Sequence, residues 1–291
     1  MSPKTRTSGL LPIPDPMTVT SDHWQKHAEQ WRHLGSPLRP CSQDVEIFEA
    51  IVARQVTIDP ARPKALLLGV TPELALMNWP QGTSLLAIDR SPGMIANVWP
   101  GHRLPAAMAI LGNWCSPPLA AGSQNLIVGD GCFTILSYPA GYQEVAMALR
   151  KILSAKGILA LRFFIRPDQP EPLSRILSDL RAGRIGSFHA CKWRLAMALH
   201  GPTITEGVRL GDIWQAWQEA NFTPNPDMGA DWSPEAVATI DNYQGVETRY
   251  SFPSLAEIRQ VFANSFREED CCYGTYELSD RCPIMVFRPR S

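Results

Sequence analysis

An excess of charge of either sign is missing from this chain. Its 27 Lys and Arg face 28 Asp and Glu, for a net charge of −1 over 291 residues. That balance gives no argument for nucleic acid or an anionic membrane surface as a partner. Long apolar runs are missing too: none approaches the roughly 20 residues of a membrane helix. The N-terminus is polar and proline-rich, without the apolar core of a signal peptide. There is no CxxC pair, and seven cysteines is an odd number. This points to a reduced, cytoplasmic protein rather than a disulfide framework. Cys271-Cys272 is the one adjacent pair, and it reads as packing in or beside a strand. No metal set stands out: His23 and His27 have ligand spacing on a helix, but no acid completes the pattern. Internal repeats are absent.

What is there is a large reserve of core. The chain is 45% hydrophobic, and its 26 prolines suggest long, stiffened loops. The most informative stretch is Lys64 to Arg90. An apolar run, Ala65 to Leu68, ends at Gly69. A turn, Val70-Thr71-Pro72-Glu73, leads into a short helical pattern with Leu74, Leu76 and Met77. A second apolar run, Leu85 to Ile88, ends at Asp89. This is a β–turn–α–β unit whose strands have the continuous apolar character of a buried parallel sheet. Glycine after the first strand lets a ligand approach the backbone. A carboxylate ending the second can accept both hydroxyls of a ribose. The unit thus suits an adenosine-type nucleoside, although glycines and acids also end strands in any parallel α/β protein. The G-x-G-x-x-G of a dinucleotide site is lacking, and Pro72 and Glu73 would crowd and repel a pyrophosphate.

On these residues the chain resembles the class I S-adenosylmethionine-dependent methyltransferases. Gly69 matches the first glycine of the family's motif I, and Asp89 its ribose-binding acid. Val70, Thr71 and Pro72 depart from the small residues usual there. The helix from Tyr142 to Leu153, the Ala155-Lys156-Gly157 turn and the strand Ile158 to Ile165 resemble the family's "helix, leucine, lysine-glycine, strand" segment. The resemblance implies a doubly wound, mostly parallel Rossmann-like sheet with a C-terminal antiparallel hairpin and a helical insertion after strand five. It also implies a cofactor, S-adenosyl-L-methionine.

The chain then divides as follows. Residues 1–17 read as a flexible lead. Residues 18–60 read as an N-terminal helical lid, with one helix from Thr20 or Ser21 to about Leu34 and a second capped by Ser42 and ending near Gln55. Residues 61–165 form the cofactor-binding core, including strands at Ala106 to Leu111 and Asn125 to Val128. Residues 166–250 form a helical substrate cap, with helices at Leu173–Leu180, Trp193–His200, Leu210–Ala220 and near Trp232–Tyr243. Residues 251–291 supply a last helix, Leu255 to Phe262, and two closing strands, Phe266–Tyr276 and Pro283–Phe287.

The expected cofactor shell comes from the strand ends. It comprises Gly69, Thr71, Pro72 and Glu73; then Asp89, Arg90 and Met94. Asn113 and Trp114 follow, as an amide for the adenine amino group and a stacking surface. Gly129, Asp130 and Gly131 come after strand four. Trp24 and Trp31 join them from the lid, although both also suit simple packing on the sheet. For catalysis the residues offer only weak candidates, Asp130, His189 and His200; Arg194, Arg209 and Arg249 are further polar contacts in the cap. Asp130 suits a cap on the following turn equally well. Since no Asn-Pro-Pro-Tyr follows strand four, amino groups of nucleic acid or glutamine are poor acceptors, and a small-molecule acceptor is expected. Two other readings stay open: a nucleoside-binding protein without turnover, and an NAD-dependent oxidoreductase on a similar sheet.

Overall fold

The apolar runs become the strands of one sheet. A computed structural model describes residues 21–59, 62–104, 106–200, 207–223 and 232–290; the expected lead, 1–17, lies outside them. In chain order the strands are β1 (Lys64–Leu68), β2 (Ser84–Asp89), β3 (Ala107–Leu111), β4 (Gln124–Asp130), β5 (Leu153–Arg162), the short pair β6 (Val208–Arg209) and β7 (Arg249–Tyr250), and β8 (Phe266–Cys272) and β9 (Ile284–Pro289). Seven of them form a sheet in the order β3-β2-β1-β4-β5-β9-β8. The first five are parallel, and β9 and β8 close the sheet antiparallel. This is the architecture expected from the sequence.

Alternation along the strands makes two layers of core. In β1, Ala65 and Leu67 point to one face, and Leu66 and Leu68 to the other. The first face is covered by α1 (Ser21–Glu29), α2 (Ser42–Ile58), the single turn α3 (Pro72–Ala75) and α4 (Pro92–Val98). The second is covered by α5 (Ala140–Ile152) and α10 (Leu255–Phe262). A third apolar cluster belongs to the insertion, with α6 (Leu173–Arg181), α7 (Phe188–Leu199), α8 (Leu210–Glu219) and α9 (Pro234–Ala238).

Several boundaries differ from expectation, each for a local reason. The helix after β1 is one turn only, so Leu76 lies past its end, and buried Met77 still packs on the same face. Cys41, not Ser42, caps α2: its backbone N–H donates to Asp44 Oδ2 at 3.0 Å, and the helix runs three residues beyond Gln55. Ala155-Lys156-Gly157 is not a turn between elements but a bulge inside β5. Pairing jumps from Gln124↔Leu153 to Leu126↔Ile158, so the extra residues loop out of the ladder. Helix α7 starts at Phe188, where Ser187 caps it through the His189 N–H, and not at Trp193. Strand β8 stops at Cys272, short of Tyr276. The pair β6–β7 gave no period-2 signal because each strand is two residues long.

Strand order reverses at β1, which has β2 on one side and β4 on the other. A crevice therefore opens at the carboxyl ends of these strands, where ligands bind in sheets of this kind. The cap sits across it.

Candidate active site

The crevice is a cleft of about 720 Å³, counting the space at its mouth that is open to solvent. It is lined by Gly69 and Thr71 after β1, Asp89 closing β2 and Met94 beyond it, Trp114 after β3, and Asp130 closing β4 with Gly131 beyond it. These are strand-end residues, gathered because parallel strands finish on one edge. Gly69 has φ +85°, a conformation that a side chain would strain, and its N–H donates to Ile88 O at 2.8 Å. A Cβ there would stand 3.7 Å from Asp89 Oδ2. Asp89 Oδ1 accepts from the Ser91 N–H at 2.8 Å. Burial pushes the Asp89 carboxyl up to about 6, against the pull of that hydrogen bond and of Arg90. The ring of Trp114 is fixed by its indole N–H, which donates to Ile88 O at 2.7 Å.

Five of the expected cofactor residues stand off the lining. Pro72 opens α3, and Arg90 is exposed. The side-chain carbonyl of Asn113 accepts from the Cys115 N–H at 3.0 Å, an Asx turn facing solvent. Gly129 answers a packing demand: a Cβ would lie 2.8 Å from Cys132 Sγ and 2.9 Å from Leu161 Cδ2. Glu73 is engaged by the Arg39 guanidinium, with Nε donating at 2.8 Å.

Asp130 does not cap the turn after β4. Its Oδ1 accepts from Arg162 Nε at 2.5 Å. Arg162 is buried and fully engaged. Its Nη1 donates to Asp44 Oδ2 at 3.0 Å and reaches the Tyr276 hydroxyl oxygen at 3.1 Å, and its Nη2 donates to Pro37 O at 3.0 Å. The Tyr276 hydroxyl in turn donates to Asp44 Oδ1 at 2.8 Å. Burial opposes the charge on Arg162, and Asp130 and Asp44 outweigh it, holding the guanidinium pKa well above its ordinary value. The linked groups around Arg39 and Arg162 thus comprise three carboxylates, Asp44, Glu73 and Asp130, and two guanidiniums.

Much of the remaining lining is aromatic. Trp24, His27 and Trp31 come from α1 and the turn after it, Phe164 from the extension of β5, and Trp193, Tyr243 and Tyr250 from the cap. The sequence signalled Trp24 and Trp31 by their spacing. It gave no reason to choose Phe164, Tyr243 or Tyr250 over other aromatics, because folding of the cap, not local spacing, brings them together. His27 reads as a solvated helix face in sequence, yet it lines the cleft.

His189 and His200 are buried outside the lining. His189 Nε2 lies 2.9 Å from His33 O, and burial followed by the nearby Lys192 pulls its pKa down to about 3. Arg194 is tied to Glu171 and Asp179, Arg209 to Asp212 and Glu247, and Arg249 donates to Gly207 O at 3.2 Å. Lys192, the residue before Trp193, is buried with its Nζ 3.1 Å from Thr239 Oγ1. Among the described residues no group of three or more His, Cys, Asp or Glu could hold a metal ion, and no helix is long and apolar enough to cross a membrane.

No family model and no curated protein matches the chain. Solved structures do. The CcbJ methyltransferase of Streptomyces caelestis is 13% identical, with a TM-score of 0.56, covering 93% of this chain and 99% of its own. The methyltransferase complexed with the Trm112 activator of Haloferax volcanii is 11% identical, with a TM-score of 0.50 and coverages of 94% and 100%. A Rhodobacter sphaeroides protein described as a Zn-dependent alcohol dehydrogenase is 14% identical, with a TM-score of 0.57 and coverages of 94% and 100%. At such identities the likeness is one of fold. The fold is that of the class I S-adenosylmethionine-dependent methyltransferases.

Proposed function

We propose that the chain is an S-adenosyl-L-methionine-dependent methyltransferase acting on a small molecule in the cytoplasm. One observation carries this reading: a single cleft joins a nucleoside-suited end, Gly69, Asp89 and Trp114, to an aromatic chamber. The residues fit the cofactor. The Asp89 carboxylate is half-buried with one oxygen turned toward Gly69, and a ribose diol would supply donors to it. The Trp114 ring offers a stacking face for adenine. Of the carboxylates around Arg39 and Arg162, Asp130 lines the cleft and suits a cationic amino-acid end.

When bound, the cofactor supplies an electrophilic methyl on a sulfonium. The chain's own task is then alignment and exclusion of water, which can lower the barrier by on the order of 7–11 kcal/mol at best. Trp24 and Trp31 close over the cleft, and the chamber walls hold the acceptor. An acceptor that carries a proton needs a base within reach; His27 is the histidine in the lining, and it is our candidate ahead of His189 and His200.

Calorimetric titration with S-adenosylmethionine and S-adenosylhomocysteine, with NAD as control, tests the reading. Micromolar binding of the first two without NAD is expected. NAD binding alone would favour the oxidoreductase reading, and binding of none would end both.

A further inference from the structure

Three rings of the chamber wall each carry a cation on a face. Arg39 Cζ stands 5.1 Å from the Trp31 ring centre, Arg162 Cζ 5.2 Å from Phe164, and Lys192 Nζ 5.0 Å from Tyr243. A cation already bound by a ring's electron-rich face leaves that ring a poorer host for a second one. Two of the three are neutralised, Arg39 by Glu73 and Arg162 by Asp44 and Asp130. Lys192 is not. Among the described residues no carboxylate pairs with it, and its hydrogen-bond partner, Thr239 Oγ1, donates its own proton to Ala236 O. Its Nζ also lies 5.8 Å from the Phe188 ring centre, which with Tyr243 walls it from solvent.

In front of Lys192 stand two phenols. Tyr243 and Tyr250 line the chamber with ring centres 6.3 Å apart, and their hydroxyls interact. Burial holds both protonated; one of the two protons is used between the hydroxyls, and the other is left to donate to whatever enters. The acid in the lining nearest this chamber, Asp130, is committed to Arg162. The chamber therefore presents flat walls, a phenolic donor and, behind them, an amine without a carboxylate partner that is charged below about pH 7.

We propose that the methyl acceptor is a flat aromatic or enolic compound whose reacting oxygen carries, or develops, negative charge, and that Lys192 selects it across the Tyr243 ring. Lys192 is a specificity-determining residue here and touches neither cofactor nor acceptor. The inference rests on the methyltransferase reading, so its test is run on protein saturated with S-adenosylhomocysteine.

The probe is 4-nitrophenol, whose coloured phenolate band reports its own ionisation. Bound to the wild-type complex it should ionise about one pH unit below the free compound, a tenfold shift in its equilibrium. N-methylpyridinium, a flat cation, should not displace it. Lys192→Met should abolish the shift while S-adenosylhomocysteine still binds, and Tyr243→Phe, which keeps the ring, should keep most of it. Failure of S-adenosylhomocysteine to bind the wild type sinks the methyltransferase reading and this inference with it. A bound probe whose ionisation is unshifted or raised, displacement by the pyridinium, or an unchanged shift in Lys192→Met overturns this inference alone. If Lys192→Met does not fold, Thr239→Val, which removes the ammonium's hydrogen-bond partner, carries the test: the shift should change with it, and constancy counts against Lys192.

Discussion

Arg162 and Lys192 are both about 1% exposed, yet they are treated in opposite ways. Arg162 has two carboxylates, a phenol and a carbonyl around its guanidinium. Lys192 has one hydroxyl and two rings. The first charge is closed within the protein, at the seam where α2, β4, β5 and the chain before β9 meet. The second is left open, in the cap beside the aromatic chamber. A charge buried and paired holds structure together; a charge buried and unpaired costs stability, and its place against the cleft is where that cost can return as selectivity.

The largest expected effect breaks the closed site. Arg162→Met would leave Asp44 and Asp130 buried without a cation. It should destabilise the fold by about 3–5 kcal/mol, as removal of one partner from a buried pair does. Urea denaturation measures this. A loss below about 1 kcal/mol would mean the pair is not closed as described.

The open site should respond with the other sign. Burial pulls Lys192 down to about 7 from an ordinary 10.5. The unfolded chain keeps its proton up to the higher value, and the folded chain releases it at the lower. Stability therefore rises between pH 7 and 10.5, and the full cost of the buried ammonium is present below pH 7. Lys192→Met should thus stabilise the protein, by roughly 1–4 kcal/mol near neutral pH. The gain should shrink as pH rises toward 10.5. Thermal unfolding of both proteins at several pH values checks the sign, and destabilisation at pH 6 would contradict it.

How far sequence reached follows the same divide. The closed half was legible. Runs such as Leu85 to Ile88 can form little but buried strands, and parallel strands must end on one edge, so Gly69, Asp89 and Trp114 came together as expected. What failed there was local. One extra helical turn was read after β1, and a bulge in β5 was read as a turn, because hydrogen-bond pairing between strands is not written in either strand alone. The open half was not legible. Tyr243, Tyr250 and Phe164 lie on separate elements, more than 70 residues apart at the extremes, and no period links them. Arg162 and Lys192 were hidden for a plainer reason. Basic residues in a strand and a helix read as exposed faces, and only tertiary packing shows otherwise.

Trp114 supplies an uncharged control. Trp114→Ala should weaken cofactor binding by about 1–3 kcal/mol, taking base–aromatic stacking as a guide. The loss should be the same at pH 5 and pH 8, because no titrating group makes the contact. Calorimetry at the two values decides it.

Asp89 is a half-buried charge without a closed set of partners, and it belongs with Lys192. Its carboxyl sits at about 6, raised by burial, and the chain answers only with the backbone N–H groups of Ser91 and Arg90 and the charge of Arg90. If a ribose diol completes the set, the ionised form binds best. Cofactor affinity should then be constant above pH 6 and fall by up to about tenfold per pH unit below it. Fold stability runs the other way at this residue. Its folded pKa lies above the ordinary 3.8, so the folded carboxyl takes up its proton first as pH falls, and its contribution to stability improves from pH 6 toward 4. A drop in affinity that accompanies the stability gain cannot come from acid unfolding at this site. Asp89→Asn removes the titration and should flatten both curves through that window. An Asn variant whose affinity still falls below pH 6 would assign the pH dependence to another group, and Asp89 would return to being an ordinary strand end.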